Sequence, residues 1–228
     1  MSQAPLVGQA SPPRAWHMVR SMVGVGLLCG LLIVSVFEVT RPIIARNKAE
    51  ALQRAIFQVL PDVRSSTTFR FDGEDHFASL DGEGVGEPLV YAGYDEEGRL
   101  AGIAVEAQGM GYQDVIRLLY GYSFSEDAIV GIRVLESRET PGLGDKIETD
   151  AAFLENFERL VVSLTDDLPG ILHPIEFVKH GKKEHPWQVD GITGATISSK
   201  AIADILRRST ARWIPRIRRS LNDFREVE

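Results

Sequence analysis

DGITGATISSK (Asp190–Lys200) sets two threonines around a Gly-Ala pair, with two serines and a lysine close behind. It leads into a pattern with Ile202, Ile205, Leu206 and Ser209 on one helical face, so a long helix is expected to begin near Ser198. The first N–H groups of a helix have no partner within it, and with the helix dipole they form a ready anion site. Gly194 and Ala195 add nothing bulkier than a methyl, while Thr193, Thr196, Ser198 and Ser199 offer hydroxyls that both donate and accept. A hydroxyl held there can contact a phosphate or be esterified by one. A plain capped helix satisfies the same spacing, because Ser and Thr are common N-caps. A P-loop does not: it needs Gly followed at once by Lys and Ser or Thr, and Lys200 lies six residues after Gly194.

Working back along the chain, AIVGIRVLE (128–136) reads as a strand that runs into SRETPGLGDKIE. Pro141, Gly142 and Gly144 allow a tight turn against a flat ligand, although ordinary turn chemistry explains them as well. GMGY (109–112) is a third glycine-bearing loop after a strand. PLVYAGYD and RLAGIAVEA are two β-rich runs joined across Asp95–Gly98 as a hairpin. Residues 150–161 read as a helix with an acidic first turn, and 72–88, rich in Gly, Asp and Glu, as a surface loop. Strands and helices mix without βαβ alternation, which makes the fold class α+β rather than a doubly wound sheet.

Ser21–Phe37, SMVGVGLLCGLLIVSVF, is 17 residues without a charge. At ~1.5 Å per residue, extended by Val19, Val39 and Thr40, it just reaches across a hydrocarbon core of about 30 Å. A cleaved leader would need a small-x-small site after the apolar run, and EVTRPIIARNK offers none, so an uncleaved anchor is expected. Gly26 and Gly30 have the spacing that lets a second membrane helix approach. Beyond it, Ala49, Leu52, Ile56 and Val59 recur at helical spacing until Pro61, a stalk helix. Lys and Arg flank the span on both sides and do not orient it.

The net charge of −7 hides a division: residues 1–48 hold five basic groups against Glu38, leaving 20 basic and 31 acidic groups in the remainder. That acidic body excludes a nucleic-acid backbone as partner. With Cys29 as its single cysteine, inside the apolar run, the chain has no disulfide framework, CxxC pair or thiolate cluster, so any redox chemistry belongs to a bound group. His173, His180 and His185 match no zinc spacing, and no metal site is assigned. Asp166 with Asp167, and Asp95–Glu97, read as solvated turns rather than paired catalytic carboxylates. Seven arginines lie between 207 and 225, with Trp213, Ile217 and Leu221 recurring every fourth residue. That stripe suits anionic lipid or a partner; a solvated helix end interrupted at Pro215 suits it equally.

Taken in order, one N-terminal span, GMGYQDVI, a strand, ETPGLGDKIE and TGAT before a helix resemble the FMN-binding G subunit of the Rnf (Rsx) electron-transport complex. They resemble slightly less its relative, the C subunit of the sodium-translocating NADH:quinone reductase. The likeness runs from about residue 20 to 210. It implies a single N-terminal transmembrane helix, then an FMN-binding domain with a mainly antiparallel sheet packed against helices. The divisions are a tail (1–20), the span (21–40), a stalk (41–62), the FMN-binding domain (63–210) and a basic C-terminal segment (211–228). Carried over residue by residue, Thr196 is the phosphoester attachment site for covalent FMN. Asp190, Thr193, Gly194 and Ala195 form the motif read by a flavin transferase that uses FAD, and they and Ser198 are the cofactor-binding candidates of this stretch. Glu139, Thr140, Pro141, Gly142, Leu143 and Gly144 form the loop expected against the isoalloxazine ring. The resemblance further implies an electron-transfer subunit, not catalytic alone, of an inner-membrane complex that couples ferredoxin–NAD electron transfer to Na⁺ or H⁺ translocation. Its soluble domain would be periplasmic, and its partners the other membrane subunits and the membrane lipid, with no nucleic acid. Two further functions fit parts of the sequence: a membrane-anchored flavin sensor, and a non-redox adaptor whose TGAT is only a turn. Many relatives carry histidine just before ETPGLG, where this chain has Ser137 and Arg138, and HGKKEHPWQ (180–188) has no firm counterpart.

Overall fold

The computed structural model describes residues 15–73, 76–80, 89–165 and 170–225. Much of the 72–88 loop and the Asp166–Asp167 pair lie outside the described residues, as do residues 1–14. The chain divides into two units, residues 1–50 and 51–228.

The first unit is helical wherever it is described, within α1 (Ala15–Val59). Met22, Leu27, Leu31 and Ile33 are all more than half exposed, on different sides of the helix. A stretch of helix whose described residues are apolar and exposed all round suits hydrocarbon, and this one is long enough to cross a membrane. Two of its hydroxyls turn back on the backbone: Ser21 Oγ donates to the His17 carbonyl (2.9 Å) and Thr40 Oγ1 to that of Val36 (2.8 Å). Neither donor is then left unpaired where water is absent. The helix passes through Pro42 without a break.

The second unit is built on a seven-stranded, wholly antiparallel sheet in the order β2-β1-β3-β4-β5-β6-β7. Its strands are β1 (Ser65–Phe71), β2 (Phe77–Ser79), β3 (Leu89–Tyr94), β4 (Leu100–Met110), β5 (Val115–Ser123), β6 (Ala128–Glu136) and β7 (Leu160–Val161). A parallel pair, β8 (Glu176–Val178) with β9 (Gln188–Asp190), forms a separate small sheet. Short helices α2 (Lys146–Thr149) and α3 (Ala151–Leu154) lie between β6 and β7 in the chain, and α4 (Thr196–Arg219) follows β9. The expected α+β class and antiparallel sheet are what the chain forms.

The twofold alternation of strand side chains divides the interior into two cores. Val90, Ile103, Val105, Ile116, Leu118 and Tyr120 pack with Ile202, Ile205 and Leu206 of α4 on one face. Tyr91, Ala104 and Leu119 point the other way, onto Ala55, Ile56, Val59, Leu60 and Val63. The end of α1 lies close against the strands there because glycines floor its path. Gly93 pairs with Gly102 and Gly121 with Gly131 across neighbouring strands. A Cβ at Gly131 would stand 2.9 Å from Val59 Cα, one at Gly102 2.9 Å from Leu60 Cδ2, and one at Gly93 2.6 Å from Val63 Cγ2; at Gly121 it would strike the Val59 carbonyl oxygen.

Three expectations change. Strand β5, flanked on both sides within the sheet, was not anticipated. The helix expected over 150–161 is cut to α3 and a 3₁₀ turn (Glu155–Phe157), after which the chain enters edge strand β7; Asp150 caps α3 by accepting from Phe153 N at 2.9 Å. The C-terminal arginine run is not a helix end interrupted at Pro215: Arg207, Arg208, Arg212, Arg219 and Arg225 stay exposed, but Trp213, Ile214 and Ile217 between them are buried. Helix α4 continues through Pro215, and Trp213, Ile214, Ile217 and Phe224 lie in the α4-side core. Tyr94 Oη donates to the Phe224 carbonyl (2.8 Å) and Phe77 N to Asp223 Oδ2 (2.9 Å). The apolar stripe is thus committed to the interior, and burial of Ile214 and Ile217 outweighs the bond that Pro215 cannot donate.

The hairpin across Asp95–Gly98 forms as expected, with Gly98 at φ +73°. Asp95 Oδ1 accepts from Arg99 N (2.8 Å) and Glu97 N (3.0 Å), and those bonds, first of all the Arg99 one, hold its carboxyl below the usual range. A depressed folded-state value contributes stability above the unfolded value of about 3.9, lost as pH falls through it. We therefore expect the melting temperature of Asp95→Asn to lie slightly below wild type at pH 7, the gap closing as melts are repeated towards pH 3.

Candidate functional site

Helix α4 starts at Thr196, two residues earlier than expected, with Ala195 (φ −129°, ψ 31°) at its N-cap and no side chain capping it. The first helical bond is Ser199 N to the Ala195 carbonyl, 2.9 Å. The N–H groups of Thr196, Ile197 and Ser198 precede it, at the positive end of a 24-residue helix. Gly194 makes the turn into the helix at φ +86°, with open space where a Cβ would point. Thr193 and Thr196 are exposed. The serines behind them are buried and occupied: Ser199 Oγ donates to the Ala195 carbonyl (2.8 Å), and Ser198 Oγ to Glu139 Oε2 (2.5 Å). The hydroxyls that face solvent in this stretch are therefore those of the two threonines.

The Ser198 bond brings the three glycine-bearing segments together. Glu139 is only 6% exposed, and its other carboxylate oxygen accepts from Tyr112 N (2.9 Å) and Gln113 N (3.1 Å). Thr140 Oγ1 reinforces the junction by donating to Gln113 Oε1 at 2.9 Å. Gly144 passes so near that a Cβ there would lie 2.5 Å from Glu139 Oε2 and 2.8 Å from Ser198 Oγ, and one on Gly111 would strike Glu139 Oε1. Pro141, Gly142 and Leu143 form the exposed tip of the loop, Gly142 at φ +77°. Asp145 Oδ1, two residues past Leu143, is buried without a hydrogen-bond partner among the described residues.

Around this junction stand apolar side chains that sequence reasoning passed over. Met110, Tyr112 and Ile197 are each more than half exposed, as is the anticipated Leu143. Exposed apolar groups on three segments tied to one buried carboxylate can receive a flat apolar body, while the start of α4 receives an anion.

Asp190 lies to one side of the threonines. Its carboxylate accepts from Gly181 N (3.0 Å) and Lys182 N (3.4 Å), and its backbone is gripped by Asn156, which donates to the Asp190 carbonyl (3.2 Å) and accepts from its N–H (3.0 Å). Lys183 Nζ completes the group on Asn156 Oδ1 at 3.1 Å, its pKa lowered by burial. The unplaced HGKKEHPWQ stretch is therefore the turn that folds over Asp190. His173 and His185 both stack on the Trp187 ring, with centroids 4.0 and 4.5 Å away. Among the described residues no group of three His, Cys, Asp or Glu side chains is placed to hold a metal ion. A cavity of about 180 Å³ between Lys146, Asp150, His180, Asp190 and Thr193 opens beside the start of α4.

Residues 111–211, which contain all three segments except Gly109 and Met110 at the end of β4, match the FMN-binding domain family. Over 190 residues the chain is 32% identical to the G subunit of the ion-translocating oxidoreductase complex of Methanosarcina acetivorans, covering 83% of this chain and 89% of that one. It is 29% identical over 180 residues to the Escherichia coli K12 protein of the same description, covering 78% and 81%. Among solved structures, NqrC of Shewanella oneidensis shares the fold at a TM-score of 0.59 and 18% identity, covering 78% of this chain and 96% of that one. The C subunit of the Na⁺-translocating NADH-quinone reductase of Parabacteroides distasonis matches at 0.55 and 17%, covering 82% and 98%.

Proposed function

The chain belongs to the G-subunit family of ion-translocating (Rnf) oxidoreductase complexes, and from that premise we propose that it is the covalently flavinylated electron carrier of such a complex, with FMN esterified through its phosphate to Thr196. The observation that carries the covalent reading is the start of α4: a helix without a side-chain cap whose first residue presents an exposed threonine hydroxyl beside three leading N–H groups. A hydroxyl needed as a cap would be turned inward; this one is free for a phosphate, whose charge the N–H groups and the helix dipole favour.

The ring would lie across the exposed Leu143, Tyr112 and Ile197, over the loop of Thr140, Pro141, Gly142 and Gly144. Bound FMN supplies one- and two-electron redox chemistry; the residues supply position, a partly dry surface and fixed dipoles. An ester bond would keep the group in place outside the cytoplasm, which suits a periplasmic domain. Attachment requires a flavin transferase that reads Asp190, Thr193, Gly194 and Ala195 and moves FMN from FAD to the Thr196 hydroxyl, the P–O–P bond of FAD breaking and AMP leaving. Because the Asp190 carboxylate is bound to the 181–182 turn, its part in that recognition is to shape the turn rather than to bind the transferase with a free charge. The protein would pass electrons among the membrane subunits of a complex moving electrons between ferredoxin and NAD coupled to Na⁺ or H⁺, with α1 in the lipid.

The full-length chain, produced with and without a flavin transferase, tests this by intact mass. We expect a gain of one FMN less one water with the transferase and none without it. An unmodified mass, while a control protein is flavinylated in the same cells, would overturn the covalent reading.

A further inference from the structure

Glu139 stands in the loop that the family resemblance sets against the flavin ring, yet its carboxylate is turned away from solvent and occupied on both oxygens. One oxygen holds the backbone of Tyr112 and Gln113; the other holds the hydroxyl of Ser198, two residues beyond Thr196 in the first turn of α4. These groups lie 27, 26 and 59 residues away along the chain, so nothing local would bring them to one side chain. The surroundings leave no slack. A Cβ on Gly111 would strike one carboxylate oxygen and one on Gly144 the other, so neither position admits one without displacing them. A carboxyl group removed from water is tolerated where donors satisfy it, and here two N–H groups and one O–H do so.

We propose that Glu139 is a positioning residue: its buried carboxylate latches the start of α4, which carries Thr196, to the Tyr112–Gln113 turn, and so fixes the slot between the attachment point and the ring platform without itself touching the flavin. The inference rests on the FMN reading for the identity of the slot's occupant, but the latch belongs to the chain and exists without flavin. It also gives the glycines around it a reason. Gly111 and Gly144 are required less for turn conformation than for room beside the two oxygens.

Hydrogen exchange on the full-length chain in detergent, made without a transferase, reads the latch directly. In Glu139→Ala the Tyr112 and Gln113 amides lose their acceptor and should exchange roughly tenfold or more faster than in wild type. In Glu139→Gln the side-chain carbonyl still accepts both N–H groups and the amide NH₂ can donate to Ser198 Oγ, so the rates should stay near wild type. Flavin is then loaded with the transferase. We expect Glu139→Gln to keep wild-type visible circular dichroism of the bound flavin, and Glu139→Ala to lose much of it while still gaining the FMN mass. Wild-type amide rates in Glu139→Ala would overturn the latch. So would a flavin signal changed as strongly by Glu139→Gln as by Glu139→Ala, since that is the behaviour of a direct flavin ligand. If Glu139→Ala does not fold, the comparison passes to Ser198→Ala, which should alter the flavin dichroism with the mass gain retained; an unaltered signal there would count against the latch. Failure of the flavin reading shows separately, as absence of the mass gain in wild type.

Discussion

Thr196→Val should emerge from cells containing the transferase with no flavin attached, and should melt where wild type melts when neither carries flavin. Valine keeps the shape and β-branching of threonine and removes only the hydroxyl. Thr196 is exposed and its side chain does not cap the helix, so nothing in the core or at the start of α4 depends on it. The loss should be complete rather than partial, because the serines just behind it cannot substitute. Ser198 and Ser199 are 2% and 0% exposed, and each is already donating, to Glu139 and to the Ala195 carbonyl. Thr196→Ser, which restores a hydroxyl in place, should recover the FMN mass in part. A full mass gain persisting in Thr196→Val would move the ester to Thr193, the other exposed hydroxyl of the stretch.

The second large effect is on stability. Gly121→Ala should lower the stability of the domain by about 3 kcal/mol, the upper end of what overpacking costs. For a domain of this size that corresponds to roughly 6–12 °C in melting temperature. The added methyl would meet the Val59 carbonyl oxygen, with Val59 C at 2.8 Å and Leu60 Cδ2 at 2.9 Å. A flexible side chain can swing aside; a backbone carbonyl at the end of a helix moves only if the helix end moves. Gly98→Ala is the control, since Gly98 has open space around it and a positive φ, so its cost is conformational alone. Equal melting temperatures for wild type and Gly121→Ala would mean that the end of α1 is not seated on the sheet.

Much of this architecture was open to a reader of the sequence where the cause is local. Asp95 and Gly98 specify their hairpin through their own side chain and φ angle. Ile202, Ile205 and Leu206 declare the buried face of α4, and the apolar run after Arg20 declares itself by length. What stayed hidden depends on register. Gly93, Gly102, Gly121 and Gly131 read singly as weak points in strands; only strand pairing sets them side by side. Strand β5 carries apolar residues on both faces, because a core lies on each side of it, so the alternation that would mark a half-buried strand is missing. The arginines of α4 drew attention to charge, although Trp213, Ile214 and Ile217 between them decide where that turn of helix goes. At the site, both motifs were legible as motifs. That the acid of one is the buried partner of a serine in the other was not, since a glutamate in an exposed-looking loop gives no sign of burial.

The row of glycines also decides where this domain can be cut from its anchor. Divided by sequence pattern, the chain would be excised after the stalk, at about residue 63, discarding Ala55, Ile56, Val59 and Leu60 with the helix. Those side chains cover one whole core, and the glycines beneath them have no side chains with which to cover it themselves. An excised domain beginning at 63 would carry a bare apolar trough across four strands, an invitation to self-association. One beginning at residue 51 would keep its own cover and leave the apolar span behind.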